Sequence, residues 1–405
     1  MNFLFVCGGT AGHINPALAI AEEILKNMPD AKILFVGAGK EPEKRLIPYA
    51  GFHLVNIRMS GLRRSFSSEN LVYNLNTLRN LSTAGVKAEN LISRFKPDAV
   101  IGTGGYICYP VMRKAAQLGI PTLVHESNAV PGLTTKLLSA VVDKVLISFP
   151  GLEELYRRPE RVVITGTPVR GGFDAAIESE TPPHRARPLV VSFWGSLGAE
   201  RMNEMMTDFI KLDMENGLFE IIHAAGINGG AGLMKNRLDR QWAASKPGVE
   251  NREIAASRQG AENREMAASK PGAAAELPPG IEIREYIDDM QAVMSAADLV
   301  LCRAGGSTIA ELTVMGKPAV LIPSPYVTNN QQMENAKQVQ KAGGAILLQE
   351  KDCTGEVLYS VVSSLLADRE KLISMATAQK ELGVPDAAER IVGLTLEQCA
   401  LNTRD

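Results

Sequence analysis

The sequence predicts an α/β protein built from two doubly wound parallel-sheet domains. Short apolar runs alternate with helical segments along most of the chain, beginning with Phe3 to Cys7 and a helix from Ala17 to Met28. Glycine-rich or polar turns follow several of these runs. A segment of linker composition, Glu178 to Pro188, separates two such alternating patterns. Alternation of buried strands with helices is typical of a doubly wound parallel sheet, and the linker divides the chain into two domains.

Composition excludes several classes of protein. A chain of 405 residues with 45% hydrophobic and 22% charged residues is typical of a globular protein of two domains. The net charge of -2 gives no field that would favour a nucleic-acid partner. The five cysteines are scattered without metal-binding spacing, so we expect buried thiols and no metal site. The N-terminus resembles a strand rather than a signal peptide, and no apolar run reaches the ~20 residues of a membrane span. We therefore expect a soluble or peripheral cytoplasmic protein.

A glycine turn follows the first predicted strand and leads into the first helix. Its glycines fall at positions 8, 9 and 12, and no acidic residue ends the second strand, Lys32 to Gly37. This pattern is not the dinucleotide fingerprint, so a nicotinamide enzyme is disfavoured. His13 lies at the mouth of the helix, where the helix dipole disfavours imidazolium and keeps the ring in the neutral form that a general base needs. The alternative is a histidine that only hydrogen-bonds the loop.

Two further polar loops follow predicted strands of the first half. They are Gly102 to Tyr106 and His125 to Gly132. Because parallel strands end at one edge of their sheet, these loops and the first glycine turn should converge on one rim. Glycines at such a rim let backbone approach a phosphate ligand. The segment from Met59 to Leu91, between the first glycine turn and these two loops, mixes basic and apolar residues. It could bind an anionic membrane surface or form a helix packed on the sheet.

The stretch from Asp298 to Pro323 predicts strand, glycine turn, helix and strand in the second half. Ser307 and Thr308 open the helix after Gly305-Gly306, and its unpaired N–H groups suit a pyrophosphate. Glu311, one turn into the helix, suits a carboxylate that accepts two ribose hydroxyls. The alternative is a crossover turn whose glycines only allow tight packing. A second turn of phosphate-binding type runs from Gly195 to Ala199.

A short repeat interrupts the second domain. Ala-Ala-Ser recurs at equal intervals from Ala243, Ala255 and Ala267, in a region with few large apolar residues. Such a composition cannot bury a core of its own. We expect Gly226 to Gly280 to be an exposed, mobile and dispensable insertion.

Several short motifs occur together in one order. They are GGTAGH at Gly8, HESNAVPG at His125, TGTPVR at Thr165, GSLGA at Gly195, YIDDM at Tyr286, RAGGSTIAEL at Arg303 and QQMENA at Gln331. In this order they resemble the MurG family, the peptidoglycan GlcNAc transferases of glycosyltransferase family 28. The resemblance covers nearly the whole chain except residues 226–280.

The resemblance implies the GT-B fold, in which two Rossmann-like domains face each other across a cleft. Residues 1–170 would form the acceptor-binding, membrane-facing domain, 171–188 the linker, 189–385 the UDP-GlcNAc-binding domain, and 386–405 a helix that returns to the first domain. The implied reaction moves GlcNAc from UDP-GlcNAc to the C4 hydroxyl of undecaprenyl-diphospho-MurNAc-pentapeptide, converting lipid I to lipid II. It inverts configuration and uses no cofactor and no essential metal. The protein would act as a peripheral protein at the cytoplasmic face of the cell membrane.

The resemblance also implies roles for individual residues. Ile287 would meet uracil through its backbone, Glu311 the ribose, and Gln331 and Gln332 the GlcNAc hydroxyls. The full set of implied donor contacts is Thr10, Ala11, Gly12, Asn128, Arg170, Ser196, Ile287, Gly306, Ser307, Thr308, Glu311, Gln331 and Gln332. The implied contacts to the acceptor diphosphate are Gly9, Gly104, Gly105 and Tyr106. His13 would be the catalytic base or, alternatively, a residue that orients substrate.

The sequence departs from the family pattern at a few positions. Ala11, Ser127 and Thr167 replace common residues, and Trp194 and Leu197 flank Ser196 where glycine and glutamine are usual, which makes the contacts around Ser196 the least secure. Rival interpretations are another GT-B lipid glycosyltransferase, a UDP-GlcNAc 2-epimerase and a non-catalytic nucleotide-sugar-binding partner in a cell-wall complex. An epimerase should carry additional acidic and histidine residues in its cleft, and this chain has only five histidines.

Overall fold

The computed structural model describes residues 1–57, 83–171, 185–228, 230–245 and 277–402. Most of the predicted linker, the repeat beyond residue 245 and the first part of the mixed basic and apolar region lie outside these ranges. The remainder of that region ends in a helix at residues 83–95, whose Ala84, Ala88 and Ile92 are buried. Of the two alternatives predicted for this region, residues 83–95 therefore follow the second, a helix packed on the sheet.

The first domain is a seven-stranded, wholly parallel sheet in the order β3-β2-β1-β4-β5-β6-β7. Its strands are β1 (Asn2–Cys7), β2 (Lys32–Gly37), β3 (His53–Asn56), β4 (Ala99–Gly104), β5 (Thr122–Glu126), β6 (Lys144–Ile147) and β7 (Val162–Ile164). Its described helices are α1 (Ala11–Asn27), α2 (Glu41–Tyr49), α3 (83–95), α4 (Cys108–Gln117) and α5 (Leu133–Leu138). Apolar clusters fill both faces of the sheet, as its nearly continuous apolar strands predict.

The second domain repeats this architecture with a six-stranded parallel sheet in the order β10-β9-β8-β11-β12-β13. Its strands are β8 (Leu189–Phe193), β9 (Glu220–Ala224), β10 (Ile281–Arg284), β11 (Leu299–Cys302), β12 (Ala319–Leu321) and β13 (Ala345–Leu347). Its described helices are α6 (Glu200–Asn216), α7 (Gly230–Ser245), α8 (Met290–Ala296), α9 (Gly306–Met315), α10 (Gln331–Ala342), α11 (Gly355–Ala367) and α12 (Arg369–Leu382). The two parallel sheets confirm the predicted fold class.

Strand order determines where a ligand can bind. In the first sheet β1 pairs with both β2 and β4, and in the second β8 pairs with both β9 and β11. These are the points where the winding of each sheet reverses, and ligands of such sheets bind beyond the strand carboxyl ends there. The glycine turns after β1, β4, β8 and β11 all lie at these two points.

The last helix, α13 (Ala387–Asn402), belongs to the core of the first domain. Its Ile391, Val392 and Cys399 are buried in the same cluster as the apolar face of α1. Helix α13 therefore packs on the first domain although it follows the second domain in the sequence. None of the helices in the described ranges has the length and apolar character needed to span a bilayer.

The structure corrects the predicted start of the insertion. Helix α7 occupies residues that the composition had assigned to an exposed segment, and its Ala231, Met234 and Leu238 are buried in the core of the second domain. The amide of Gly226 also donates to the Glu285 carbonyl at 2.9 Å. The apolar spacing of α7 is that of an ordinary amphipathic helix, so the prediction of an exposed segment is wrong for Ala231, Met234 and Leu238.

Substitution of α7 residues tests whether this helix stabilises the domain. Leu238 is 0% exposed, whereas Leu233 on the same helix is 77% exposed. We expect Leu238→Ala to lower the free energy of unfolding by about 2–5 kcal/mol, because a buried leucine loses its contacts and leaves a cavity. Leu233→Ala is the matched control and should change it by no more than about 0.5 kcal/mol. Equal effects of both variants in urea denaturation would show that α7 does not support the core.

Candidate active site

The N-termini of α1 and α9 meet where the two domains face each other. The Ser307 hydroxyl, on α9, donates to the Gly12 carbonyl, on α1, at 3.1 Å. Gly306 lies against the backbone of Ser127, since a Cβ on it would lie 2.4 Å from the Ser127 carbonyl oxygen. The two glycine turns singled out in the sequence are therefore in direct contact.

Both helices begin with backbone N–H groups that no side chain caps, so that an anion could bind them. Helix α9 begins after Gly305 without a side-chain cap or an acidic residue in its first turn, and its first helical bond runs from Ile309 N to Gly305 O at 2.9 Å. The N–H groups of Gly306, Ser307 and Thr308 precede that bond. Helix α1 also begins without a side-chain cap, after Thr10, and the N–H groups of Ala11 and Gly12 precede its first bond, from His13 N to Thr10 O at 3.0 Å. Uncapped first-turn N–H groups and the positive dipole end attract a phosphate.

The tautomer of His13 is set by its hydrogen bond. His13 Nδ1 lies 2.8 Å from the Gly8 carbonyl oxygen, which can only accept, so Nδ1 carries the proton. In the neutral ring Nε2 then holds the lone pair. Within the described residues Nε2 has no hydrogen-bond partner, and the ring is partly exposed. A neutral imidazole with a free lone pair is the form that a general base requires.

The glycines predicted to contact the acceptor make close backbone contacts at the first rim. Gly104 has φ +121, and a Cβ on it would lie 2.5 Å from His13 Cδ2 and 2.9 Å from Nε2. Gly105 lies against Gly8, whose carbonyl oxygen would be 2.5 Å from an added Cβ. Gly9 donates its N–H to the Glu43 carboxylate at 2.8 Å, so that group is not free for a phosphate. Tyr106 is 58% exposed at the same rim.

A buried amide joins the two domains behind the glycine turns. Asn335, on α10, is 0% exposed. Its Oδ1 accepts from Ala129 N at 2.7 Å, and its Nδ2 donates to Asn128 Oδ1 and to Ala304 O, each at 3.0 Å. Asn128 also donates through Nδ2 to Glu126 Oε1 at 2.9 Å. Asn128, predicted to contact the donor, therefore has both polar side-chain atoms engaged within the protein.

Two neighbouring buried groups fix the loop that carries Asn128. Glu126 accepts hydrogen bonds from Asn128, Gly132 N and the Thr135 hydroxyl. His125 is 1% exposed and lies with Nε2 3.0 Å from the Gly166 carbonyl. Burial lowers the pKa of His125 to about 4, so this ring is neutral at physiological pH and supports the loop.

The predicted donor residues of the second domain differ in exposure and in the partners they contact. Ile287 is buried, and Ser196 is partly exposed and accepts at its carbonyl from Ile227 N at 3.2 Å. Glu311 is partly buried, and burial raises its pKa to about 7. Gln332 accepts from Ser324 N at 2.8 Å, which leaves its amide nitrogen available. Gln331 instead donates to the Val130 carbonyl of the first domain at 2.9 Å.

Arg170 has a partner that the sequence did not indicate. Its guanidinium contacts the Glu22 carboxylate on α1, with Nη2 at 2.6 Å and Nε at 3.1 Å from the same oxygen. Both side chains are about one-third exposed. Such a pair contributes little to stability, so an anionic ligand could take over Arg170 at small cost.

The unusual tryptophan beside Ser196 does not crowd the turn. Trp194 is 4% exposed and packs among Met202, Met205 and Met206 in the core of the second domain. Leu197 is 59% exposed. Relative to the family pattern, the tryptophan at position 194 therefore adds volume to the core. At the surface of the turn, the residue that differs from the family pattern is Leu197.

No cluster of metal ligands occurs in the described part of the chain, where three or more His, Cys, Asp or Glu side chains nowhere converge in a way that could hold an ion. The five cysteines are buried and unpaired. The positive ends of α1 and α9 meet in the described site, and Arg170 pairs with Glu22 further along α1.

Comparison with known proteins identifies the family. Residues 3–147 match the glycosyltransferase family 28 N-terminal domain, and residues 189–391 match its C-terminal domain. The chain belongs to glycosyltransferase family 28. A relative from Acetivibrio thermocellus is 39% identical over 396 residues, with 96% of each chain covered. Its name is UDP-N-acetylglucosamine--N-acetylmuramyl-(pentapeptide) pyrophosphoryl-undecaprenol N-acetylglucosamine transferase. A relative of the same name from Thermoanaerobacter sp. is also 39% identical, over 97% of this chain and 99% of its own.

Solved structures agree with this membership. The crystal structure of Acinetobacter baumannii MurG is 25% identical and superposes with a TM-score of 0.69, covering 98% of this chain and all of its own. The predicted resemblance to the MurG family is thereby confirmed. A UDP-GlcNAc 2-epimerase from Neisseria meningitidis, bound to UDP-GlcNAc, gives a TM-score of 0.60 at 15% identity, with 98% and 100% of the two chains covered. At that identity the likeness concerns the fold alone.

The close packing of His13 on Gly104 yields a prediction. A methyl group at position 104 would overlap the imidazole, and the positive φ disfavours any side chain there. We expect Gly104→Ala to displace His13 and to lower transferase kcat at least about 100-fold, the contribution of a misplaced general base. The control is Gly119→Ala, which also has positive φ but has nothing within 4 Å of the added Cβ. Wild-type kcat in Gly104→Ala would mean that the position of His13 is unimportant.

Proposed function

We propose that this protein transfers GlcNAc from UDP-GlcNAc to the C4 hydroxyl of undecaprenyl-diphospho-MurNAc-pentapeptide, converting lipid I to lipid II. The observation that carries the proposal is the contact between Ser307 and Gly12, which brings the donor-type helix α9 beside His13. The names of the relatives at 39% identity over nearly the whole chain support the same donor and acceptor. The products are the β-1,4-linked disaccharide lipid and UDP.

The proposed chemistry is a single displacement at C1 of GlcNAc. Nε2 of His13 takes the proton of the C4 hydroxyl as its oxygen attacks C1 from the face opposite UDP. The bond between C1 and the β-phosphate oxygen breaks, and its electron pair leaves with UDP. First-turn N–H groups of α9 and the Arg170 guanidinium stabilise the charge on the departing diphosphate. Configuration at C1 is thereby inverted.

The proposed donor site places each part of UDP-GlcNAc on a different element. The uracil meets the backbone of Ile287, the ribose hydroxyls meet Glu311, and the pyrophosphate lies between Ser196 and the start of α9 at Gly306, Ser307 and Thr308. Gln332 offers its free amide nitrogen to a GlcNAc hydroxyl. On the first domain, Thr10, Ala11 and Gly12 approach the donor from the other side of the cleft.

The proposed acceptor site lies on the first rim beside His13. The backbone of Gly104 and Gly105 and the exposed ring of Tyr106 form the surface that the acceptor diphosphate would meet. Because the undecaprenyl chain of the acceptor resides in a bilayer, this rim must face a membrane. We infer peripheral association of the first domain with the cytoplasmic membrane surface.

A transfer assay tests the proposal. Labelled GlcNAc would be followed from UDP-GlcNAc to a lipid I analogue, with EDTA present. We expect a product that comigrates with a lipid II analogue, and we expect His13→Ala to reduce its rate at least about 100-fold. His53→Ala is the control, since His53 lies on the edge strand β3 away from the cleft.

The other outcomes of this assay distinguish the parts of the proposal. Binding of UDP-GlcNAc without transfer would overturn the acceptor, and more than about a tenth of wild-type turnover in His13→Ala would overturn the base. Activity that disappears with EDTA and returns with a divalent cation would contradict a reaction without an essential metal.

The raised pKa of Glu311 predicts a pH dependence of donor binding. The ionised carboxylate accepts strongly from both ribose hydroxyls, whereas the protonated form is a weaker acceptor and carries an O–H donor of its own. In the protein without ligand the pKa of Glu311 is about 7. Above that pH the carboxylate is already ionised and the affinity for the donor is at its maximum, whereas below it Glu311 must lose a proton when the donor binds. We expect the Kd of UDP-GlcNAc to rise about tenfold per pH unit below 7, towards pH 5, and to be constant above pH 8.

Glu311→Gln is the matched variant for this measurement. It should bind UDP-GlcNAc more weakly than wild type at pH 8, and its Kd should be independent of pH between 6 and 8. Calorimetry with the intact sugar nucleotide avoids the titration of a terminal phosphate. Parallel pH curves for wild type and variant would show that Glu311 is not the titrating group.

A further inference from the structure

A buried carboxylate lies beneath the first glycine turn. Glu43, on α2, is 0% exposed. Its Oε1 accepts from Gly9 N at 2.8 Å, and its Oε2 accepts from Gly39 N at 2.7 Å and Lys40 N at 3.0 Å. All three partners are donors, which is the pattern of an ionised carboxylate. Glu43 therefore places a negative charge against the loop that supports His13.

The same peptide group contacts both Glu43 and His13. Gly9 N–H, bound to Glu43, and Gly8 C=O, bound to His13 Nδ1 at 2.8 Å, are the two ends of the Gly8–Gly9 peptide unit. A carboxylate on the N–H end polarises the peptide and makes its carbonyl oxygen a stronger acceptor. The connection runs from carboxylate to peptide to imidazole.

We propose that Glu43 is a positioning residue for His13, acting through the Gly8–Gly9 peptide. The arrangement performs the task that a carboxylate in direct contact with a histidine performs in other enzymes. It fixes the Nδ1–H tautomer, leaves Nε2 as the base and favours the imidazolium that forms when the proton is taken. This inference rests on the proposed function only for its kinetic readout, since the tautomer can be measured without substrate.

Space around the carboxylate allows little alternative placement. A Cβ on Gly8 would lie 2.9 Å from Glu43 Oε1, and one on Gly37 would lie 2.6 Å from Oε2. The carboxylate thus fills the gap between the turns after β1 and β2. A glutamine in this space keeps the shape but can accept at only one of its two positions, and it carries no charge.

The thiols and the second imidazole nearest this site are neutral, and the other carboxylates are Glu126, which is occupied by the Asn128 loop, and Glu311. Burial raises the pKa of Cys7, on β1, well above its usual range and that of Cys108, on α4, to about 12. It lowers the pKa of His125, on β5, to about 4. Helix α9 contributes the uncharged Ser307 at the contact and Glu311 one turn further on. Glu43 accepts a hydrogen bond from Gly9, in the turn that precedes His13, and so acts on this turn directly.

The test compares Glu43→Gln with wild type, Glu43→Asp and a control. We expect Glu43→Gln to lower kcat about tenfold or more, with the KM for UDP-GlcNAc changed less than about twofold. Its acid limb in the pH profile of kcat should move to lower pH, because the charge that favours imidazolium is gone. Glu43→Asp keeps the charge and should recover part of kcat. Glu41→Gln, on the exposed face of the same helix, should match wild type.

A double-mutant cycle separates positioning from general support of the loop. In a His13→Ala background, Glu43→Gln should cause no further loss of kcat, because the group through which it acts is absent. An equal loss in both backgrounds would overturn the proposal. Unchanged kcat in a folded Glu43→Gln protein, with its Tm within a few degrees of wild type, would overturn it as well.

NMR of the imidazole nitrogens gives a readout independent of turnover. Wild type should show His13 with the proton on Nδ1, and Glu43→Gln should show that proton in a weaker hydrogen bond, with its NMR signal shifted upfield. An unchanged Nδ1–H signal in the variant would contradict the proposal. If wild type makes no lipid product but the signal shifts as expected, the proposed function fails while the role of Glu43 stands.

Discussion

The contact between the two domains at their strand carboxyl ends depends on one buried amide. Asn335 is wholly enclosed and satisfied by three partners, the amide of Ala129, the side chain of Asn128 and the carbonyl of Ala304. A buried amide that lost one partner would carry a desolvation cost of about 1–3 kcal/mol, so this geometry strongly favours one relative placement of the two loops. Ala129 and Phe149 of the first domain also lie in an apolar cluster of the second. The contact of Ser307 with Gly12 follows from that placement.

Elements and turns could be predicted because their signals are local. Apolar runs, glycine turns and helix starts gave two doubly wound sheets, and strand order then explains why those turns lie at the two switch points. The insertion shows the limit of composition. The repeat led to the prediction that residues 226–280 are exposed. Ala231, Met234 and Leu238, however, have the spacing of a buried helical face.

The residues that sequence reasoning missed act through tertiary contacts. Glu43 lies on a helix outside every recognised motif and reaches the first glycine turn from a distant position in the chain. Glu22 is indistinguishable in sequence from a solvated helix residue, yet it pairs with Arg170. Asn128 and Gln331 each make a hydrogen bond to the opposite domain, and their side-chain hydrogen bonds are directed at the protein itself. A sequence motif specifies which side chains gather at a site, and it does not specify which of their atoms remain free.

Glu43, against the first glycine turn, and Glu22, paired with Arg170, are two carboxylates whose surroundings differ. The charge of Glu43 is buried and accepts three N–H groups, so it is compensated before it can repel a diphosphate, and its remaining effect passes through one peptide to His13. The charge of Glu22 is partly exposed and is matched by Arg170. A diphosphate that took over Arg170 would leave Glu22 facing water, where a carboxylate is well solvated. Glu43 therefore keeps its hydrogen bonds and holds the glycine turn in place, whereas Glu22 would release Arg170 to the ligand. In this arrangement the positive charge of Arg170 is balanced by Glu22 until a diphosphate binds.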